Sequence, residues 1–299
     1  MYKKEFIAHI GFPKCASSTL QKNLFTLDKK SDLISPHKLS NVTGFEIIQP
    51  INNNTIIHDE ILKFIDGYRD GYLKIKNNLN KVIKNSKKRI IFTSEWVVGT
   101  RLIKNNFQDR LDLFAQLIPS DAKIILIVRE HFDLIISLYR DNQKELEGNK
   151  SLSIEKFFEM FLNEKYRERI EFKKVYQSLL KYFKAENIYV YKIYKNSKRD
   201  ISVDINKDFK FTDNDKIKKT IKTNQGISKK QFIYLKIIRN FSFLKNFIPS
   251  FIYINLHYSI MNLFKSEKSI KFKFSKKLRE KVYLTFEDDW NYICRKSRN

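Results

Sequence analysis

The chain of 299 residues carries 58 Lys and Arg against 33 Asp and Glu, a formal net charge of +25, with 42% hydrophobic and 14% aromatic residues. That much apolar surface excludes a globally disordered chain, and only 7 Gly and 5 Pro exclude collagen-like or linker-dominated classes. Cys15 and Cys294 stand at opposite ends and supply neither a disulfide framework nor a four-ligand zinc site. The first ten residues lack the apolar run and small-residue cleavage site of a secretory signal, so a cytoplasmic protein is expected. The basic excess comes from Lys, 45 against 13 Arg, and attracts nucleic acid, anionic membrane or acidic small molecules alike.

The elements read as strands alternating with helices. Residues 5–10 form an apolar run ending at Gly11 and Pro13, followed by Leu20, Leu24 and Leu27 at helical spacing behind a cap at Ser17 or Ser18. The spacing from Asp59 to Lys84 predicts one long helix weakened at Gly67 and Gly71, opened by His58, Asp59 and Glu60. Strand 89–94 follows, then a helix from Phe107 to Ile118 that Pro119 stops. Residues 123–128, KIILIV, read as a strand buried on both faces. Helical spacing resumes through Leu134, Ile135 and Leu138, at Phe157–Phe161 and at Phe172–Phe183, before a fourth strand at 187–193.

This alternation predicts an α/β fold, a doubly wound, mostly parallel sheet with a P-loop-like phosphate-binding turn after the first strand. No repeat or linker divides the chain, so residues 1–299 are expected to form a single domain, with 214–299 as its basic, mainly helical C-terminal part. Between Asn214 and Arg239 there are eight Lys/Arg and one Asp, and the stretch from Phe247 to Phe264 has no charged residue but His257. Its readings are a membrane span, an interfacial or lid-like helix, or a packed helix. A closing helix is expected over 275–294.

Three places could carry chemistry. The loop Gly11-Phe12-Pro13-Lys14-Cys15-Ala16-Ser17-Ser18-Thr19 joins a strand end to a helix start, where free N–H groups and the helix dipole favour phosphate. Lys14 adds a cation and Ser17, Ser18 and Thr19 add hydroxyls, but the second glycine of a Walker A loop is missing. A helix N-terminus would also lower the Cys15 thiol pKa and make it reactive. Arg129 ends the strand 123–128, with Ser137 eight residues on, so that both can reach one phosphate; pairing of Arg129 with Glu130 or Asp133 is the competing reading. Glu95, after strand 89–94, is positioned as a general base or as an ion-pair partner of Lys14 or Arg129. His58 is a reserve base, and the five histidines show no metal-ligand spacing.

Taken together these motifs resemble the sulfotransferases that use 3′-phosphoadenosine 5′-phosphosulfate (PAPS). G-F-P-K-C-A-S-S-T-L is similar to their 5′-phosphosulfate loop, and K-I-I-L-I-V-R-E-H-F-D-L-I-I-S-L-Y to their 3′-phosphate motif, over residues 5–27 and 88–140. The resemblance implies sulfuryl transfer from PAPS, with 3′-phosphoadenosine 5′-phosphate (PAP) as product, to a hydroxyl or amine of a carbohydrate of a surface glycan. It implies that Lys14 contacts the transferred group, that Lys14, Cys15, Ala16, Ser17, Ser18 and Thr19 hold the 5′ side and that Arg129 and Ser137 hold the 3′-phosphate. Glu95 is then the catalytic base, and no metal is implied. Lys222, Asn224, Gly226 and Ser228 are candidates for the late cofactor loop. Ala16 stands in place of a usual Gly, and Glu130-His131-Phe132 in place of Asn-Pro, which implies a less rigid helix start. The acceptor is expected to be a small molecule or glycan, lipid- or nucleotide-linked, with peripheral contact to an anionic inner membrane face through 241–264 and no nucleic acid. A P-loop-type kinase or phosphoryl transferase, and a basic nucleic-acid binder, are the alternative classes.

Overall fold

The computed structural model describes residues 5–12, 15, 20–21, 24–25, 31–34, 53–66, 71–86, 89–95, 97–98, 107–142, 153–193, 200–213, 217, 228–240, 250–264, 272 and 274–298. In chain order the elements are β1 (Phe6–Ile10), β2 (Ser31–Ile34), α1 (Asn53–Ile65), α2 (Tyr72–Asn85), β3 (Arg89–Ser94), α3 (Phe107–Leu117), β4 (Lys123–Arg129) and α4 (His131–Asn142). There follow α5 (Ile154–Leu162), the short α6 (Glu164–Arg167), α7 (Phe172–Leu179), β5 (Ile188–Ile193), α8 (Ile201–Phe209), α9 (Lys229–Asn240), α10 (Ser250–Leu263) and α11 (Lys276–Lys296).

The strands form one sheet in the order β2-β3-β1-β4-β5, every neighbouring pair parallel. Every residue of β1 is buried, as are Ile124 to Val128 of β4. Successive strand residues point to opposite faces, so burial of consecutive residues means that both faces are covered, as the unbroken apolar runs predict. At the amino edge Glu5 pairs with Arg89 (3.5 Å) and Lys123 (2.5 Å), binding the starts of three strands by charge. Beyond β5 the chain end returns: the Arg298 N–H donates to the Val190 carbonyl at 2.9 Å, covering part of the sheet's edge.

The helix expected over 59–84 is two helices. Gly71 sits at φ +100°, a left-handed conformation that a glycine adopts without penalty, and α2 restarts directly after it. Helix α1 begins at Asn53, so Asp59 and Glu60 lie in its second turn and are not first-turn acids complementing the dipole. Strand β2 and helix α8 were not legible; β2 is four residues, of which two are apolar. After β1, the Leu24 N–H donates to the Leu20 carbonyl at 2.9 Å, and both side chains are buried, in line with a helical turn; Leu27 and the cap at Ser17 or Ser18 lie outside the described residues.

Candidate active site

Ile10 pairs in register with Ser94, so Gly11 and Glu95 leave the sheet side by side at its carboxyl edge. Arg129, in register with Ile193, ends β4 on the other side of β1 at the same edge. The chain passes from β1 to strands on one side and then crosses from β3 to β4 on the other. In open α/β sheets this reversal opens the crevice where ligands bind.

Cys15 is the next described residue after Phe12. Its N–H donates to the Phe12 carbonyl at 3.2 Å, closing a turn after β1, and its side chain is buried. Burial pushes the thiol up to about 12, the Arg129 charge opposing this and the Glu95 charge adding to it. One sulfur atom thus feels both the cation at the end of β4 and the carboxylate at the end of β3. The expectation of a reactive Cys15 is overturned: removal from water outweighs any favourable dipole and disfavours the thiolate.

A polar lattice fixes these strand ends. The Thr93 hydroxyl accepts from Gln21 Nε2 at 3.0 Å and bonds His9 Nδ1 at 2.9 Å, joining β1, β3 and the turn that follows the loop. Burial holds His9 down to about 3, so it is neutral here. Arg110, fully buried on α3, pairs with Asp66, and its Nε donates to the Val97 carbonyl at 3.4 Å, two residues past Glu95. The guanidinium is thereby a tether for the turn that carries the carboxylate.

The start of α4 corrects a second expectation. Glu130 accepts from the Phe132 and Asp133 N–H groups at 3.0 and 3.2 Å, capping the helix directly after Arg129. His131 is buried, stacked on Phe286 at 4.2 Å and 8°, and its Nε2 lies 3.0 Å from Asp289 and 3.1 Å from the Ile170 carbonyl. Asp289 also accepts from the N–H groups of Phe172 (3.0 Å) and Lys173 (2.7 Å), capping α7. Phe172 in turn meets Phe12 edge-on at 4.7 Å. Without Asn-Pro, the helix start is held rigid by one cap and one buried histidine. The same cluster reaches the loop after β1.

Of the remaining expected residues, Ser137 lies on α4 and is half-buried, as is Glu95. Lys14, Ala16, Ser17, Ser18, Thr19, Lys222, Asn224 and Gly226 lie outside the described residues. Ser228 is removed from the cofactor loop: its hydroxyl accepts from the Gln231 N–H (3.1 Å) and donates to the Phe264 carbonyl (2.6 Å), while its own N–H donates to Gln231 Oε1 (2.8 Å), a capping box for α9. His58 is also removed as a base, because it is buried, stacked on Phe92 at 5.6 Å, with Nδ1 on Asp59 at 3.2 Å. Sequence reasoning missed Arg110, His131 as a fixing residue, and Asp289. A signal for the last existed, since Val282, Phe286, Asp289 and Ile293 recur at helical spacing and a carboxylate within an apolar stripe implies a buried partner. Among the described residues no cluster of His, Cys, Asp or Glu is arranged to hold a metal ion.

A family model of the sulfotransferase domain matches residues 7–236. The chain belongs to the sulfotransferase family. That match spans β1, β3 and β4 and the loops they carry, and it makes this protein an enzyme of sulfuryl transfer. No curated protein matches the chain. Among solved structures, this sulfotransferase is similar to a mouse sulfotransferase, SULT7A1, complexed with PAP, at 12% identity over 99% of this chain and 90% of that one, with a TM-score of 0.42. It is also similar to a retinol dehydratase in complex with androsterone and the inactive cofactor PAP, at 13% identity over 95% of this chain and 80% of that one, with a TM-score of 0.39.

Proposed function

We propose that this sulfotransferase moves a sulfuryl group from PAPS to a hydroxyl or amine of a carbohydrate acceptor, a lipid- or nucleotide-linked precursor of a surface glycan. The observation that carries this reading is the strand register, which brings Gly11, Glu95 and Arg129 to the carboxyl edge of one parallel sheet, with Glu95 and Arg129 on either side of β1. The donor set fits a nucleotide with phosphates at both ends. Arg129 and Ser137 suit a 3′-phosphomonoester, a guanidinium fork and a hydroxyl on successive elements. The loop from Lys14 to Thr19 suits the 5′ side by its residue types.

PAPS supplies the activated sulfuryl group. Glu95 takes the proton from the acceptor oxygen or nitrogen as that atom bonds to sulfur and the bond from sulfur to the phosphate oxygen breaks. Lys14 and the loop N–H groups balance the charge left on that phosphate oxygen. Thr93, His9 and Arg110 keep the two strand ends in register. The test is Glu95→Gln, assayed for transfer from PAPS to nucleotide- and lipid-linked sugars. Turnover is expected to fall about 10²–10⁴-fold with PAP affinity retained. Full turnover in that variant would remove Glu95 from the mechanism.

A lipid-linked acceptor is favoured by the C-terminal arm. Ile233 and Ile237 of α9 and Ile252, Leu256 and Leu263 of α10 are exposed, beside the exposed Lys229, Lys230 and Lys236. Apolar side chains among lysines fit the surface of an anionic leaflet. No helix among the described residues is long and apolar enough to cross a membrane. Co-sedimentation with phosphatidylglycerol vesicles, absent with phosphatidylcholine, is the expected result; no binding to either would remove the membrane from the account.

A further inference from the structure

The face of α4 that carries Ser137 holds two further ionisable residues. Asp133, Ser137 and Arg140 are spaced four and three residues apart, so they lie above one another on one side of the helix, and all three are half-buried. Side chains on a helix lean toward its N-terminus. For Arg140 that direction leads back past Ser137 toward the carboxyl edge of the sheet, where Arg129 ends β4. Its guanidinium carbon lies 5.7 Å from the centre of the Phe272 ring, which steadies the group. Phe272 itself packs edge-on against Tyr139 at 5.4 Å and Phe232 at 5.7 Å.

Electrostatics link Arg140 to Arg129 and Asp133. Arg140 is lowered from its ordinary value first by burial and then by the Arg129 charge, with Asp133 acting in the opposite sense. Glu130 is turned into the N-terminus of α4, where it accepts two N–H groups. Two guanidiniums are thus set against the Asp133 and Glu95 carboxylates around the end of β4. Two guanidiniums held near each other in a half-buried site repel, and a doubly charged anion between them reverses that cost.

We infer that Arg140 is a second guanidinium of the 3′-phosphate subsite and, with Arg129, gives the enzyme its selectivity for a 3′-phosphorylated donor. This rests on the donor reading of Arg129 and Ser137 given above. A 3′-phosphomonoester carries close to two negative charges near neutral pH, and Arg129 alone would balance one of them. Arg140 approaches from the helix and Arg129 from the strand, so the phosphate is gripped from two elements whose separation is fixed by the core.

Calorimetric titration with PAP and, separately, with AMP tests this in the wild type, Arg140→Ala and Arg140→Lys. Arg140→Ala is expected to weaken PAP binding about tenfold to a hundredfold and to leave AMP binding within about twofold. Arg140→Lys keeps the charge but loses the fork, so it should recover part of the loss. Unchanged PAP affinity in Arg140→Ala would overturn the inference, and so would equal losses for PAP and AMP, which would mark a structural role. If thermal melting shows that Arg140→Ala does not fold, the lysine variant decides: a several-fold loss confined to PAP supports the inference, and none overturns it. A wild type that binds PAP no better than AMP would instead overturn the donor reading itself.

Discussion

Helices α10 and α11 invert the usual relation between composition and burial. The stretch around α10 is the longest in the chain without a Lys, Arg, Asp or Glu, yet Ile252, Leu256 and Leu263 of α10 are 45%, 50% and 78% exposed. Its buried side, His257 and Met261, packs on α9, where Met261 joins Leu235 in a cluster apart from the main core, and Gln231 donates to the Met261 carbonyl at 2.7 Å. Helix α11 is crowded with charge, but its one stripe of Val282, Phe286, Asp289 and Ile293 enters the main core. What decides burial is the placement of apolar residues around the helix and a partner that fits them. The charged helix fixes the start of α4 beside Arg129, and the apolar helix leaves Ile252, Leu256 and Leu263 exposed.

The largest effect expected from testing this contrast is in α11. Phe286→Ala removes the ring stacked on His131 and should cost about 3–5 kcal/mol in urea unfolding. Asp289→Ala strands His131 and the N–H groups of Phe172 and Lys173, for about 3 kcal/mol or more, while Asp289→Asn keeps an acceptor and should lose less. Loss below about 0.5 kcal/mol in both alanine variants would break the claim that α11 fixes the edge.

Acid probes the sheet beneath. His9 has a folded value of about 3 against an ordinary 6.5. Between those values the unfolded chain binds the extra proton, so stability is full above about pH 6.5 and falls as pH drops toward 3. The slope is up to about 1.4 kcal/mol per pH unit. Acid titration of His9→Gln should flatten that limb, and an unchanged limb would remove His9 as its source. The smallest effect belongs to α10: Ile252→Ser, Leu256→Ser and Leu263→Ser should each change stability by less than about 0.5 kcal/mol while together abolishing vesicle binding. A large loss of stability would show that this face is covered in the folded protein.

What was legible followed from how local each signal is. The apolar runs of β1, β3, β4 and β5 and the two motifs at their ends were readable because each is encoded within a few consecutive residues. The break at Gly71 was read as a weakened helix because periodicity persists on both sides, and backbone conformation is not visible in a pattern. Strand β2 was missed because its short edge position needs few apolar residues. The Asp289 contacts with His131 and α7 join parts far apart in the chain, and only folding brings a carboxylate from the last helix to the N–H groups of Phe172 and Lys173. Cys15 reversed its expected chemistry for a related reason, since a loop cysteine's exposure depends on what closes over it.

The central claim is that Arg129 and the loop after β1 form a site for a 3′-phosphorylated nucleotide. Its most direct test is calorimetric binding of PAP in competition with AMP, for the wild type and Arg129→Ala. Tight binding of PAP over AMP is expected, collapsing in the variant while AMP binding persists. Equal binding of PAP and AMP by the wild type, or an Arg129→Ala variant that keeps the preference, would contradict it.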